Sequence, residues 1–92
     1  MNITAKAYPN PFTSSLAVEV TSEAEEQVIF RLYNQDGHLI KMSYWKLLNG
    51  NNKILLDSLQ NLAWGKYTVE LKDGNNKLLY KFELMKEEAG KE

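Results

Sequence analysis

The stretch Gly65-Lys66-Tyr67-Thr68-Val69-Glu70-Leu71 alternates between apolar and polar residues after an opening glycine. A period of two predicts a half-buried β-strand, because successive side chains of a strand point to opposite faces. Just upstream, Ser58-Leu59-Gln60-Asn61-Leu62 places two leucines three positions apart after a serine, a residue type that caps helices. We therefore expect a single helical turn at 58–62 that carries the chain from one sheet to another.

The residues that lead into this strand suggest a structural role for its tyrosine. Leu62, Gly65 and Tyr67 resemble the tyrosine corner of immunoglobulin-like β-sandwiches, in which the phenol hydroxyl bonds to backbone just upstream. We expect Tyr67 to fix this corner, and we expect no catalytic role for it.

The same alternation recurs along the whole chain. It predicts strands near residues 2–8, 15–21, 27–34, 38–46, 52–57, 66–72 and 77–86. Three turn signals are predicted to close hairpins: Asn34-Gln35-Asp36-Gly37, Asn49-Gly50-Asn51-Asn52 and Asp73-Gly74-Asn75-Asn76. Seven short strands with frequent turns predict an all-β fold, an immunoglobulin-like antiparallel β-sandwich. Residues 1–86 are expected to form one domain, and the polar residues 87–92 a frayed tail.

Tyr8-Pro9-Asn10-Pro11-Phe12 contains both prolines of the chain. Proline has no backbone N–H and holds the residue before it in extended geometry. The segment is therefore expected to be a stiff connector between strands rather than a central strand. Tyr8 and Phe12 would anchor its two ends.

Composition excludes several classes of function. The net charge is −1, from 11 basic and 12 acidic residues, so the sequence shows no electrostatic footprint for nucleic acid. No apolar run approaches the roughly 20 residues that span a bilayer. The start, Met1-Asn2-Ile3-Thr4, lacks the features of a signal peptide. The chain is thus expected to be either cytosolic or a piece of a longer exported protein.

The side chains needed for catalysis are scarce. The chain has no cysteine and one histidine, His38, which follows a turn glycine and is interpreted as a solvated loop residue. The segment beginning at Asp73 does not have the spacing of a calcium loop and is expected to be a simple turn. We expect no catalytic residue, no metal and no cofactor.

Two tryptophans leave a binding function open. Trp45 and Trp64 would stack on sugar rings if both were exposed on one face, which would make the chain a carbohydrate-binding or adhesion module. The simpler expectation is that both cover the ends of the core, because Trp is highly buried on average. A passive spacer between other domains is a third possibility.

Taken in order, the motifs resemble the type A C-terminal sorting domain of type IX secretion, also called the Por secretion system. The resemblance covers residues 7–86. It rests on the segment 8–12, the Asp36-Gly37 turn, a looser match at 50–57, the corner at 62–71 and the basic, apolar strand at 81–86. His38 stands where the family commonly has a basic residue, and six residues follow Lys86, near which family members usually end.

The resemblance implies docking rather than chemistry. Such domains follow a cargo protein of a Gram-negative bacterium. The cargo reaches the periplasm by a separate signal, crosses the outer membrane through the type IX translocon, and arrives at the cell surface or outside the cell. A sortase-like protease removes the domain in many relatives. The resemblance assigns translocon recognition to Tyr8, Pro9, Asn10, Pro11, Phe12, Asp36, Gly37, Lys81 and Lys86.

The last strand allows two interpretations of its lysines. If it lies at a sheet edge, a partner could add a strand to it. Alternatively, Lys81 and Lys86 only protect that edge from aggregation.

Overall fold

The computed structural model describes residues 3–87, and these residues form strands and connections with no helix. Each predicted strand is confirmed, with ends that differ by at most two residues. The strands are β1 (Ile3–Tyr8), β2 (Leu16–Ser22), β3 (Glu26–Tyr33), β4 (Leu39–Leu47), β5 (Gly50–Leu56), β6 (Gly65–Lys72) and β7 (Leu78–Lys86).

The strands form two antiparallel sheets that pack face to face. One sheet has the order β1-β2-β5 and the other the order β4-β3-β6-β7. The predicted all-β antiparallel sandwich of seven strands is therefore confirmed, and its order is compatible with an immunoglobulin-like fold. Alternate residues of the central strands point into the space between the sheets, as the period of two requires. The most deeply buried apolar side chains are Phe12, Leu16, Val18, Val20, Val28, Phe30, Leu32, Leu47, Val69 and Leu71.

Strand register divides the connections between two ends of the sandwich. Tyr8 pairs with Ala17, and Gly65 pairs with Lys86. The connections 9–15, 34–38 and 57–64 therefore share one end with the last residues of β7, and we call it the corner end. The connections 23–25, 48–49 and 73–77 lie at the opposite end, which we call the far end. β1 begins at the far end, where Ile3 pairs with Ser22.

Two of the three predicted hairpins are confirmed. Residues 34–38 join β3 to β4, and residues 73–77 join β6 to β7. The hairpin predicted at 49–52 is wrong, because β4 and β5 belong to different sheets. Gly50, at a φ of 107°, turns the chain across the gap. The Asn52 side chain closes the crossing by accepting from the Leu48 N–H and donating to the Leu48 carbonyl, both at 2.9 Å.

The connection from β5 to β6 crosses between the sheets, as expected, but the predicted helical turn is wrong. Ser58 has a φ of 65° and does not cap a helix. The Leu62 N–H donates to the Leu59 carbonyl at 3.1 Å, which closes a tight turn. Leu59 is buried and its N–H donates to the Ser14 carbonyl at 2.9 Å. The two leucines thus hold a turn against the core instead of forming a helix.

The expected tail begins with an ordered residue. The Glu87 N–H donates to the Phe12 carbonyl at 2.9 Å. Residues 88–92 of the expected tail, residue 2 of the predicted first strand and residue 1 lie outside the described part of the chain.

Candidate recognition surface

The proline segment between β1 and β2 is fastened to the end of β7. Pro9, Asn10 and Pro11 are exposed, whereas Phe12 is fully buried. The Phe12 N–H donates to the Met85 carbonyl at 2.8 Å. The Asn10 side-chain oxygen accepts from the Met85 N–H at 2.9 Å. The Phe12 ring also meets Tyr67 edge to face, with centroids 5.9 Å apart. Phe12 is thus the expected apolar anchor of the segment, and the two prolines before it are exposed.

Lys86 is not a surface residue, contrary to the expectation for the last strand. Its side chain is 2% exposed, because Leu84 and Lys86 share the face of β7 that points into the sandwich. The Lys86 ammonium donates to the Glu87 carbonyl at 2.8 Å. The backbone at Lys86 pairs with Phe12 in a parallel bridge. Lys86 therefore belongs to the junction between the proline segment and β7, and a lysine buried there does not protect an exposed edge from aggregation.

The Asn34–His38 connection is a tight, internally bonded hairpin. The Asn34 side-chain oxygen accepts from the N–H of Asp36 at 3.0 Å and from that of His38 at 2.9 Å. Gly37 has a φ of 83°, a conformation that favours glycine. Asp36 and Gly37 are exposed at the tip. The hairpin therefore holds both residues in a fixed position at the corner end.

Tyr67 has the geometry of a tyrosine corner. Its hydroxyl donates to the Ala63 carbonyl at 2.7 Å, four residues upstream. Burial raises the pKa of the Tyr67 phenol above its ordinary value, so the hydroxyl keeps its proton. Leu62 packs against the core beside it. Gly65 has a φ of 137°, and a Cβ there would lie 3.2 Å from the Gln35 side-chain oxygen. The corner thus touches the hairpin tip.

A shallow groove joins the hairpin to β7 along the outer face of the four-stranded sheet. It encloses about 420 Å³. Gly37 and Lys81 both line it, so the structure brings together two of the elements that the resemblance singled out. Lys66 and Glu83 lie between them, with the ammonium and carboxylate 3.6 Å apart. Lys81 is exposed, in contrast to Lys86.

The two tryptophans do not form a coplanar, solvent-facing pair. Trp45 is half-buried and stacks on Phe30 with ring centroids 4.7 Å apart. It lies six residues beyond Leu39, or roughly 20 Å along β4 from the corner end. Trp64 lies at the corner end and is 72% exposed. The expectation that Trp64 covers the core is wrong, because Leu59 and Leu62 of the same connection fill that place.

Sequence reasoning missed a polar cluster on the outer face of the three-stranded sheet. The Tyr8 hydroxyl donates to the Glu19 carboxylate, which also accepts from the Asn51 amide at 3.4 Å. The bond from Tyr8, followed by that from Asn51, lowers the pKa of Glu19. Only the register of β1, β2 and β5 brings these residues together, so no sequence signal could have indicated the cluster.

The described residues contain no obvious ion site or membrane span. Within residues 3–87, no three acidic or histidine side chains converge in a way that could hold a metal ion. The same residues include no helix long and apolar enough to cross a membrane.

The fold defines a β-sandwich module in which the proline segment is hydrogen-bonded to the end of β7. A model of the secretion system C-terminal sorting domain matches residues 6–84. The chain therefore belongs to this family, the type IX secretion sorting domain that its motifs resemble. None of the curated proteins compared with the chain matches it.

Proposed function

We propose that this chain is the non-catalytic signal that directs an attached cargo protein across the outer membrane through the type IX translocon. The family match indicates a C-terminal secretion sorting signal. The single observation that supports the finer proposal is the convergence of the motifs. The proline segment, the 34–38 hairpin and the end of β7 all meet at the corner end.

The direction of β1 suits an N-terminal cargo. β1 begins at the far end, so a protein attached before it leaves the sandwich on the side away from the corner end. The corner end then stays accessible to the export machinery. The proposed route runs through the periplasm to the cell surface or the extracellular space, where a sortase-like protease is the second proposed partner.

The recognition residues divide into two roles by burial. Pro9, Asn10, Pro11, Asp36, Gly37 and Lys81 are exposed and can touch a partner. Phe12 and Lys86 are buried, so we assign them the role of holding the proline segment against β7. Tyr8 is half-buried and carries the bond to Glu19 at the start of that segment. A substitution in the second group should act through structure. The same holds for Asn10, which accepts from the Met85 N–H, and for Gly37, whose φ is positive. A substitution at Pro9, Pro11, Asp36 or Lys81 should act through contact.

The outer edge of β7 is partly open to a partner strand. β7 pairs with β6 along its length, while on its other side the Asn10 and Phe12 bonds reach only residues 85–87. Within the described chain no strand pairs with that side of residues 78–84. An extended segment of the translocon could therefore add to the sheet there, with main-chain bonds giving affinity.

An export assay tests this proposal. The 92-residue chain is fused behind a fluorescent protein that carries a periplasmic export signal, and the host has a type IX system. In the intact strain, fluorescence is expected at the cell surface or in the medium. In an isogenic translocon-null strain, it is expected to remain in the periplasm. Ending the chain before Met85 should abolish export. A folded fusion that stays periplasmic in both strains would overturn the proposal.

Two charge reversals separate contact from stability. Lys81→Glu changes an exposed residue of the groove, and Lys77→Glu changes an exposed residue at the far end. Both exposed sites should tolerate the change within about 0.5 kcal/mol of unfolding free energy. Export is expected to fall with Lys81→Glu and to persist with Lys77→Glu. Equal export by the two variants would remove Lys81 from the recognition surface.

A further inference from the structure

β4 is a free edge of the four-stranded sheet, at the side opposite to β7. Among residues 3–87, only β3 pairs with β4, so the backbone groups along its free edge have no partner strand. β4 has nine residues, as many as β7 and more than any other strand. A register shift near its start leaves 41–47 as the regular part of this edge. Such an edge is able to pair with a further strand, which natural proteins usually prevent.

The side chains of β4 protect this edge poorly. Trp45 stacks on the buried Phe30 and so faces inward, which places Met42 and Tyr44 on the outer face of the sheet. Met42 is 42% exposed and Tyr44 is 63% exposed. The strand has two lysines and no acidic residue. An exposed apolar row beside an unpaired edge is typical of a protein contact.

We propose that the free edge of β4 binds the same edge of a second copy of this chain, antiparallel, around a two-fold axis at Ser43. Opposed residues of paired strands share a face, so Met42 of each copy lies opposite Tyr44 of the other. A thioether beside an aromatic ring is a favourable contact. On the inner face, Lys41 of each copy lies opposite Trp45 of the other, and a cation beside an indole is also favourable.

The placement of charge and apolar groups selects this register. A shift of one residue would bring the inner face of one copy against the outer face of the other. An axis at Lys41 would oppose two lysines, and an axis at Tyr44 would separate it from Met42. An axis at Met42 would pair Tyr44 with Ile40, next to the register shift. In the proposed register Ile40 lies opposite Lys46, whose ammonium can extend into solvent along its apolar stem.

The edge fits a second copy because its own residues are self-complementary in this register. The contact involves one strand edge and few side chains, so its area falls below the roughly 1,200 Å² of a stable complex. We therefore expect a weak dimer, with a dissociation constant of about 100 µM. Since β7 lies at the opposite edge of the sheet, the dimer leaves β7 free for the export machinery.

Sedimentation velocity of the 92-residue chain between about 10 µM and 1 mM tests the proposal. The unchanged chain should shift from monomer to dimer. Met42→Lys places two ammonium groups about 7–8 Å apart across the axis and should weaken the dimer about tenfold or more. Leu55→Lys is the matched control, because Leu55 is 62% exposed on β5, an edge strand of the other sheet. It should dimerise normally. Equal urea midpoints show that both variants fold.

A single cysteine at the axis tests the register. The chain has no cysteine, so Ser43→Cys introduces one thiol per copy. Opposed Cα atoms of antiparallel strands lie about 4.5–5.5 Å apart, within the range that a disulfide spans. Oxidation by dissolved oxygen with a copper catalyst should therefore give a covalent dimer. Thr4→Cys, on the edge strand β1, carries a more exposed thiol and should cross-link more slowly.

Three results would overturn the inference. The first is a chain that stays monomeric up to 1 mM, the upper end of the range above, which is about tenfold the expected dissociation constant. The second is equal dimerisation of Met42→Lys and Leu55→Lys, or equal cross-linking of the two cysteine variants. The third is loss of export in Met42→Lys when the unchanged chain is monomeric, which would make β4 a docking edge for the translocon and leave the sorting proposal intact. Dimerisation of a chain that is never exported would instead overturn the sorting proposal alone.

Discussion

The hairpins at 34–38 and 73–77 lie at opposite ends of the sandwich and are built in the same way. In each, the first side chain accepts from the N–H groups two and four residues later: Asn34 at 3.0 and 2.9 Å, Asp73 at 2.8 and 3.0 Å. In each, the fourth residue has a positive φ, 83° at Gly37 and 67° at Asn76. The local turn chemistry is thus the same at both ends.

The two hairpins differ in what surrounds them. Gln35 of the first lies against Gly65 and accepts from the Lys66 N–H at 3.5 Å, so this hairpin is joined to the tyrosine corner. The second is exposed over residues 74–77 at the far end. The turn itself therefore cannot explain a function at the corner end. Function should follow the exposed side chains and their neighbours.

Exchanging the hairpins should give the largest effect. Replacing residues 34–38 by Asp-Gly-Asn-Asn-Lys keeps the turn but removes the Asp36-Gly37 tip and Gln35, so export should fall about tenfold or more. The unfolding free energy should drop by no more than about 1–2 kcal/mol. Export is measured with the fluorescent fusion and stability by urea titration.

The reciprocal exchange is the control for this experiment. Asn-Gln-Asp-Gly-His in place of residues 73–77 should be exported like the unchanged chain. If the two exchanges reduce export equally, the proposed distinction between the ends is wrong.

Two glycines with positive φ, one at each end of the sandwich, allow the two ends to be compared by the free energy of unfolding. Gly65→Ala at the corner end combines backbone strain with the 3.2 Å approach to Gln35, so it should cost about 2–3 kcal/mol. Gly50→Ala at the far end meets nothing within 4 Å and should cost about 1–2 kcal/mol. Urea titration measures both. Adding Gln35→Ala should reduce the first cost and leave the second unchanged, and a failure to do so would rule out the contact as its cause.

The tyrosine corner predicts that the protein loses stability at alkaline pH. Tyr67→Phe leaves the Ala63 carbonyl without its donor and should cost about 1–2 kcal/mol of unfolding free energy. Because burial raises the pKa of Tyr67, its contribution is complete below the ordinary value of 10.0 and is lost as pH rises through the higher folded value. Thermal midpoints should therefore fall more steeply above pH 10 in the unchanged chain than in Tyr67→Phe, and parallel curves would contradict this.

Local sequence patterns predicted the positions of the strands well. They predicted which strands pair only where a hairpin joins two neighbouring strands. Alternation located β6, and Leu62 before it together with Gly65 and Tyr67 at its start indicated the corner. The turn signal at 49–52 showed that the chain reverses, but not that Gly50 would cross to β2 of the other sheet. That choice depends on contacts distant in sequence.

The candidate surface was predicted in part. The motifs at 8–12 and 36–37 indicated the right segments, and the tertiary fold then decided which residues are exposed. The Lys86 side chain points inward because it lies two residues after Leu84 on the same face of the strand, and this alternation could be read from the sequence. The exposure of Trp64 could not be read from the sequence, because it depends on how Leu59 and Leu62 occupy the core.

The far-end hairpin should have a small acid sensitivity that the corner-end hairpin lacks. Bonds from the backbone N–H groups of Lys77 and Asn75 lower the pKa of Asp73 below its ordinary 3.8. Its stabilising contribution is therefore complete above that value and is lost as pH falls through the lower folded one. Asn34 makes the same bonds with an amide that does not titrate. Asp73→Asn should thus flatten the acid side of the thermal-midpoint curve without lowering the neutral value much, whereas Asn34→Asp should steepen it. If neither change alters the slope, the two side chains do not cap their hairpins in solution as they do in the structure.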